Sequence, residues 1–250
     1  MRGLARFRTA FEKHANQYVL IGGTAATLAM ESAGLSFRAT KDLDVVLHIE
    51  VLDAAFGAAF WRFIEAGAYE LRQQSTTGKQ IYYRFQRPGD ESYPAMLELF
   101  SRAPAGMVLG PDARLTPIPI SESVASLSAI LLDNDYYDFV IAGRRVIEGL
   151  PWVGEDRLIP LKAVAWLDMT ARAQRGELID SRDIRKHAYD ILRLSQLLAP
   201  DTRITAAPKI VADLHRFLDA VGTAGLIDPH ALGLGSTLTD LIDRIRAAYR

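Results

Sequence analysis

Val19-Leu20-Ile21-Gly22-Gly23-Thr24 and, further on, Lys41-Asp42-Leu43-Asp44-Val45-Val46 decide the reading of this chain. The first is an apolar run that ends in two glycines and a hydroxyl. An Ala-rich segment over 24–33 follows and reads as a helix stopped at Gly34. The second is an apolar strand that carries two aspartates at spacing i, i+2. Strand, glycine turn, helix, strand is an α/β opening, and it fixes what the rest of the chain must surround.

Outward from that core, 2–15 reads as a short helix with Leu4, Phe7 and Phe11 on one stripe, and 18–22 as a buried strand. Leu43–Ile49 is the second strand, and a helix over 52–66 closes at Gly67. Tyr69–Gln74 and Gln80–Gln86 are expected as strands joined through Thr77-Gly78, with Pro94–Ser101 as another. A loop holding Gly106, Gly110, Pro111, Pro117 and Pro119 is expected next, then a helix over Ser121–Leu132 capped by Ser121. Asp138–Ile141 and Arg144–Ile147 read as a hairpin across Gly143, with Asp133-Asn134-Asp135 as a loop before it. From Leu158 the pattern turns helical: 158–175, 181–198, 207–221 and 237–249. The expected fold class is α/β (α+β): a mixed sheet with flanking helices over 1–150, then a helical domain over 151–250 that closes the cleft of the first.

The chain has 250 residues, 49% hydrophobic and 24% charged, an ordinary globular composition. Its net charge of −1 gives no global field for nucleic acid, although a local basic patch is compatible with it. The absence of cysteine excludes disulfide and thiolate chemistry. The start, Met1-Arg2-Gly3-Leu4-Ala5-Arg6, has no signal-peptide apolar core, and no run reaches the roughly 18 apolar residues of a membrane helix. A cytoplasmic protein with no membrane partner is expected.

Glycines between strand and helix let backbone N–H groups approach a phosphate at the positive helix end, and Thr24 adds a hydroxyl donor. Strand-to-helix turns also use glycine for packing alone. Asp42 and Asp44 share a strand face, with Cα atoms about 6–7 Å apart, while Leu43, Val45 and Leu47 point to a core. Carboxylates so placed repel unless they are solvated or bound to cations, and Mg2+ takes a few carboxylates plus substrate phosphates. Glu98 interrupts the apolar strand Met96-Leu97-Glu98-Leu99-Phe100 and would complete a three-carboxylate cluster if that strand lies beside 43–48. Such a cluster suits a two-ion mechanism, one ion at the attacking hydroxyl and one at the leaving pyrophosphate.

Gly22-Gly23-Thr24, Asp42-x-Asp44 and Glu98 together resemble the DNA polymerase β-like nucleotidyltransferase superfamily. Arg38-Ala-Thr40-Lys-Asp42-Leu-Asp44 looks more specifically like the AbiEii/AbiGii toxin family. Threonine stands where the superfamily often has serine, and the interval from glycines to aspartates is longer than in its compact members. The resemblance implies metal ligation by Asp42, Asp44 and Glu98, and NTP binding by Gly22, Gly23, Thr24, Arg38 and Thr40.

In the helical half, Lys162 heads a stripe with Trp166, Met169 and Ala173, near the helix end where the dipole disfavours a cation. A bound triphosphate would explain it, and so would a lysine snorkelling to water. Asp183, His187 and Asp190 form a polar strip on the next helix, which also suits a satisfied surface network. The segment from Leu161-Lys162 through Asp180-Ser-Arg-Asp-Ile-Arg-Lys-His187 to Leu194 is similar to the C-terminal motif of AbiEii-like proteins. That similarity implies Lys162 as a catalytic phosphate contact, Asp183 as an active-site acid, and Arg182 and Lys186 as contacts to phosphate or RNA.

The expectation is a magnesium-dependent nucleotidyltransferase that moves an NMP from an NTP to an acceptor hydroxyl and releases pyrophosphate. By resemblance to AbiEii-like and MenT toxins, the acceptor is the 3′ end of tRNA and the partner a cognate antitoxin. The alternatives are transfer onto a small molecule, as in antibiotic nucleotidyltransferases, and a non-catalytic nucleotide sensor. A sugar-nucleotide glycosyltransferase fits the Gly22-Gly23-Thr24 turn poorly. Arg72, Lys79, Arg84 and Arg87, interleaved with Tyr82, Tyr83 and Phe85, suit either single-stranded nucleic acid or a solvated hairpin.

Overall fold

The computed structural model describes residues 1–71, 84–103, 115–118, 127–224 and 227–249. Its architecture is mixed α/β. Contacts divide the chain into two units, one of Met1–Thr27 with Arg38–Val153 and one of Leu28–Phe37 with Gly154–Arg250. Residues 151–153, grouped by the sequence reading with the helical half, are strand and belong to the sheet.

The first unit is built on nine described strands: β1 (Tyr18–Ile21), β2 (Asp42–Leu47), β3 (Glu70–Leu71), β4 (Arg84–Gln86), β5 (Met96–Ser101), β6 (Leu115–Ile118), β7 (Leu127–Leu131), β8 (Arg144–Ile147) and β9 (Leu150–Val153). The main order is β3-β4-β5-β2-β1-β9-β8, and β7 pairs with β5 and with β6. β1 and β2 are antiparallel, β2 and β5 parallel, and β4 and β5 antiparallel. The turn expected at Thr77-Gly78 lies outside the described residues, but its flanks β3 and β4 do pair antiparallel.

Register sorts the side chains. Leu43, Val45 and Leu47 of β2 align with Leu20 and Tyr18 of β1 and with Leu97 and Leu99 of β5, and all are fully buried. Phe85 of β4 sits opposite Leu97. This face is covered by aromatic side chains of α1 (Leu4–Phe11) and α3 (Ala54–Ala66). Phe7 meets Phe63 and Tyr18, Phe11 meets Phe56, and Phe60 meets Phe85, with ring centroids 5.3–5.6 Å apart. Those spacings are the edge-on and tilted range that aromatic rings favour. Because strand side chains alternate, residues one step along point to the opposite face: Asp42, Asp44, Arg84 and Glu98.

Three elements correct the sequence reading. Residues 127–131, expected as helix, form β7, parallel to the end of β5 at Phe100↔Ile130; Ser121, the expected cap, is outside the described residues. Residues 115–118, expected within a loop, form β6. Residues 138–141, expected as a strand, lie in α4 (Asn134–Ala142), whose N-cap Asp133 accepts a hydrogen bond from the Asp135 N–H. The hairpin is instead β8–β9, turning through Glu148 (φ 51°) and Gly149 (φ 77°). Two residues at positive φ make the tight turn whose twist matches paired strands.

The second unit contains α5 (Glu155–Gln174), α6 (Ser181–Leu194), α7 (Pro208–Ala224) and α8 (Leu238–Ala248). Trp166 of α5 packs edge-on against Phe217 of α7 at 5.3 Å. Leu192, Leu234 and Leu241 form an apolar cluster joined by Ile227, Leu232 and Leu238. The Tyr249 hydroxyl donates to the Asp156 carbonyl at 2.9 Å, tying the end of this unit to the start of α5. No described helix is long and apolar enough to cross a membrane.

Candidate functional site

β1 ends at Ile21, which is the register partner of Asp44 on β2. The next residue, Gly22, has φ 68° and opens α2 (Gly22–Ser32). A Cβ on Gly22 would stand 1.7 Å from Asp44 Oδ2. Both the left-handed backbone and the close carboxylate therefore exclude a side chain here. A Cβ on Gly23 would lie 2.7 Å from Thr40 Cγ2 and 3.7 Å from an Arg38 guanidinium nitrogen. The two glycines thus let the segment 38–44 press against the first turn of α2, where amide groups have no intrahelical acceptor.

Thr24 is 1% exposed, and its hydroxyl lies within bonding distance of the Asp42 carbonyl (3.0 Å) and Met1 Sδ (2.6 Å). The sequence predicts a phosphate donor at this position. Burial and an internal acceptor give it a different task, pinning α2 to the start of β2. Thr40, by contrast, has a buried hydroxyl oxygen with no hydrogen-bond partner among the described residues. A buried hydroxyl left without a partner costs about 1–3 kcal/mol. Arg38 is partly buried and donates to the Ala39 carbonyl at 3.4 Å.

Parallel pairing sets Glu98 directly beside Asp44, and Asp42 beside Met96. The strands are about 4.8 Å apart, so the conditional placement of Glu98 is met. Its expected role as third metal ligand is not matched by its contacts. Arg84 is the register partner of Glu98 on the other side, and its guanidinium makes an ion pair and a hydrogen bond with that carboxylate. Among the described residues, no group of three acidic or histidine side chains is arranged to hold a metal ion. Three carboxylates on one face would repel, and Arg84 offsets one of them. Arg84, which the sequence places on or beside a basic hairpin, shares the acidic face because β4 pairs with β5 in the register Arg84↔Glu98.

Asp42 and Asp44 are both partly buried at the opening end of β2. Mg2+ takes one or two carboxylates from a protein, with substrate phosphates filling the remaining positions. The donor set fits one such ion at Asp42 and Asp44.

The second unit handles its charges differently. Lys162 is 5% exposed and donates to Asp190 Oδ2 at 2.8 Å, with Asp190 fully buried. Asp183, expected as the active-site acid, is exposed in the first turn of α6. Asp190 lies two turns further along the same strip and is the acid that meets the lysine. Desolvating Lys162 requires an opposite charge, and only an acid that reaches the interior supplies it. Arg182 is also committed elsewhere, with its guanidinium bonding the N-cap Asp180 at 2.7–3.2 Å.

No family profile and no curated protein matches this chain.

Proposed function

We propose that the sheet unit is a magnesium-dependent nucleotidyltransferase that transfers an NMP from an NTP to an acceptor hydroxyl. The observation that carries this reading is the contact of the Gly22 backbone with the Asp44 carboxylate, which brings a helix N-terminus and a two-carboxylate strand end to one place. The open amides of α2 would receive the triphosphate, and the Thr40 hydroxyl beside Gly23 is a donor of the right kind. Asp42 and Asp44 would hold Mg2+, which supplies neutralisation of phosphate charge when bound.

In the transfer, the acceptor oxygen forms a bond to the α-phosphorus as the α–β bridging bond breaks and pyrophosphate leaves. A carboxylate of the site takes the hydroxyl proton. Arg84 holds Glu98 and limits the negative charge that incoming phosphates meet. Following the resemblance to AbiEii-like toxins, the acceptor we propose is the 3′ end of a tRNA, and the chain is then a toxin with a cognate antitoxin.

The test is transfer of label from four α-32P NTPs with magnesium and bulk tRNA, comparing the wild type with Asp42→Ala/Asp44→Ala. Label on tRNA from the wild type alone supports the reading and identifies the nucleotide. Unlabelled tRNA with labelled small molecules overturns the acceptor. No transfer to any acceptor, with NTP still bound, overturns the enzyme.

A further inference from the structure

We propose that the outer face of α6 binds the sugar-phosphate backbone of a single-stranded nucleic acid. On a helix of 3.6 residues per turn, Arg182, Arg185, Lys186, Tyr189, Arg193 and Gln196 of α6 and the turn after it fall within an arc of about 100°. The arc carries four cations, an aromatic ring and an amide, and no carboxylate. From Arg182 to Arg193 it runs about 16 Å along the axis.

Burial and bonding set this face apart. Ala188, Asp190, Ile191, Leu192 and Leu194 lie on the remaining arc and are buried in the unit. Arg182 and Arg185 are exposed, and Lys186, Tyr189 and Arg193 are partly exposed. Arg182 is engaged by Asp180 in an ion pair, whereas Arg185 donates to the Ser181 hydroxyl at 3.3 Å and feels Asp180 only through a longer-range attraction. Arg185, Lys186 and Arg193 have no carboxylate partner among the described residues. Elsewhere the described arginines mostly meet acids: Arg8 with Glu148, Arg102 with Glu50, Arg172 with Glu177, Arg216 with Asp213 and Arg246 with Asp219.

In a chain of net charge −1, three cations on one helix face without a carboxylate in ion-pair contact form a local field that the whole-chain charge conceals. Phosphates spaced along a strand match a row of cations along a helix. Tyr189 between Lys186 and Arg193 adds a ring on which a base can stack, which favours a single strand over an acidic protein surface. The inference concerns binding and stands apart from the transfer chemistry proposed for the sheet unit.

The experiment uses the full chain with Asp44→Asn and no NTP, so that binding is measured without transfer. Fluorescence anisotropy with a labelled single-stranded RNA 20-mer is read across salt concentrations. The expected result is salt-sensitive binding whose log–log slope falls in magnitude by about 2 in Arg185→Gln/Lys186→Gln/Arg193→Gln, at about 0.7 per lost phosphate contact. Tyr189→Ala is expected to weaken binding about 5- to 150-fold. The single variant Arg193→Gln, expected to remove about 0.7 from the slope, serves if the triple variant unfolds. Absence of binding at low salt, an unchanged slope, or equal affinity for polyglutamate overturns the proposal; the last would make the surface a site for an acidic protein. Absence of label transfer by the wild-type chain with NTP, while the slope follows these variants, would sink the enzyme reading and leave this one standing.

Discussion

Asp44 on β2 and Asp190 on α6 are the same side chain in opposite settings. Asp44 is partly buried at a strand end, against a glycine backbone and beside Glu98. Asp190 is fully buried and bonded to a lysine that is itself nearly so. A partly buried carboxylate at a strand end can still be reached by a cation and a substrate, whereas one sealed with its counter-ion has already spent its interaction. Charged residues in an apolar pattern therefore mark two kinds of site, and the partner of each decides which.

The largest effect expected from this comparison is on stability. Lys162→Met leaves Asp190 buried without its partner and is expected to cost about 3–5 kcal/mol, seen as a lower urea midpoint of the helical unit. Lys162→Met/Asp190→Leu should recover most of that loss, since paired charges replaced together are often neutral. A wild-type midpoint for the single variant would break the contrast.

Gly22→Ala is next. A left-handed conformation costs a side chain about 1–2 kcal/mol, and the methyl would displace the Asp44 carboxylate. Thermal unfolding should show the smaller loss, while NTP label transfer should fall by at least about 100-fold, the scale of losing one group that stabilises the transition state. Equal stability with full transfer would detach Gly22 from the site. Thr24→Val removes the donor to the Asp42 carbonyl and is expected to destabilise by about 1–2 kcal/mol, measured by urea titration. Magnesium affinity unaltered by that change would show that Asp42 does not depend on this pin.

The smallest effect is in acid. Burial pushes the Glu50 carboxyl up, but hydrogen bonds from Tyr137, its own backbone and Arg102 outweigh it and hold the group below its ordinary value of 4.5. Folding thus favours the charged form. That stability is present above the unfolded value and is lost as pH falls through the lower folded value. Glu50→Gln should flatten this part of the pH–stability curve of the sheet unit, and a curve that keeps its slope would move the effect to other carboxylates.

Much of the central sheet was legible because its signals are local. β1, β2 and β5 are apolar runs with polar breaks, and the glycines mark the turn into α2. β7 was not, because Leu127-Ser-Ala-Ile-Leu131 is short, apolar and Ala-containing, and its state is set by pairing with β5 rather than by periodicity. α4 was misread for a related reason: Phe139-Val140-Ile141 favours strands locally, while Tyr136, Tyr137, Phe139 and Val140 bury one helical face. Gly143 drew the hairpin to the wrong place; it ends α4, and Gly149 makes the turn.

At the site, the shared face of Asp42 and Asp44 follows from alternation along one strand and was readable, while Glu98 joins it through the pairing of β5 with β2, which the sequence offered only as a condition. The tie of Glu98 to Arg84 was not readable, since it depends on the register of β4. Lys162 stood out in the sequence, but choosing Asp190 over Asp183 as its partner requires knowing which end of the polar strip faces inward.

The most direct test compares Asp44→Asn with Asp190→Asn in one pair of assays, thermal unfolding and NTP label transfer. The account predicts that Asp44→Asn unfolds near the wild-type temperature and loses transfer, while Asp190→Asn unfolds at markedly lower temperature. An Asp44→Asn protein that transfers label at the wild-type rate would contradict it.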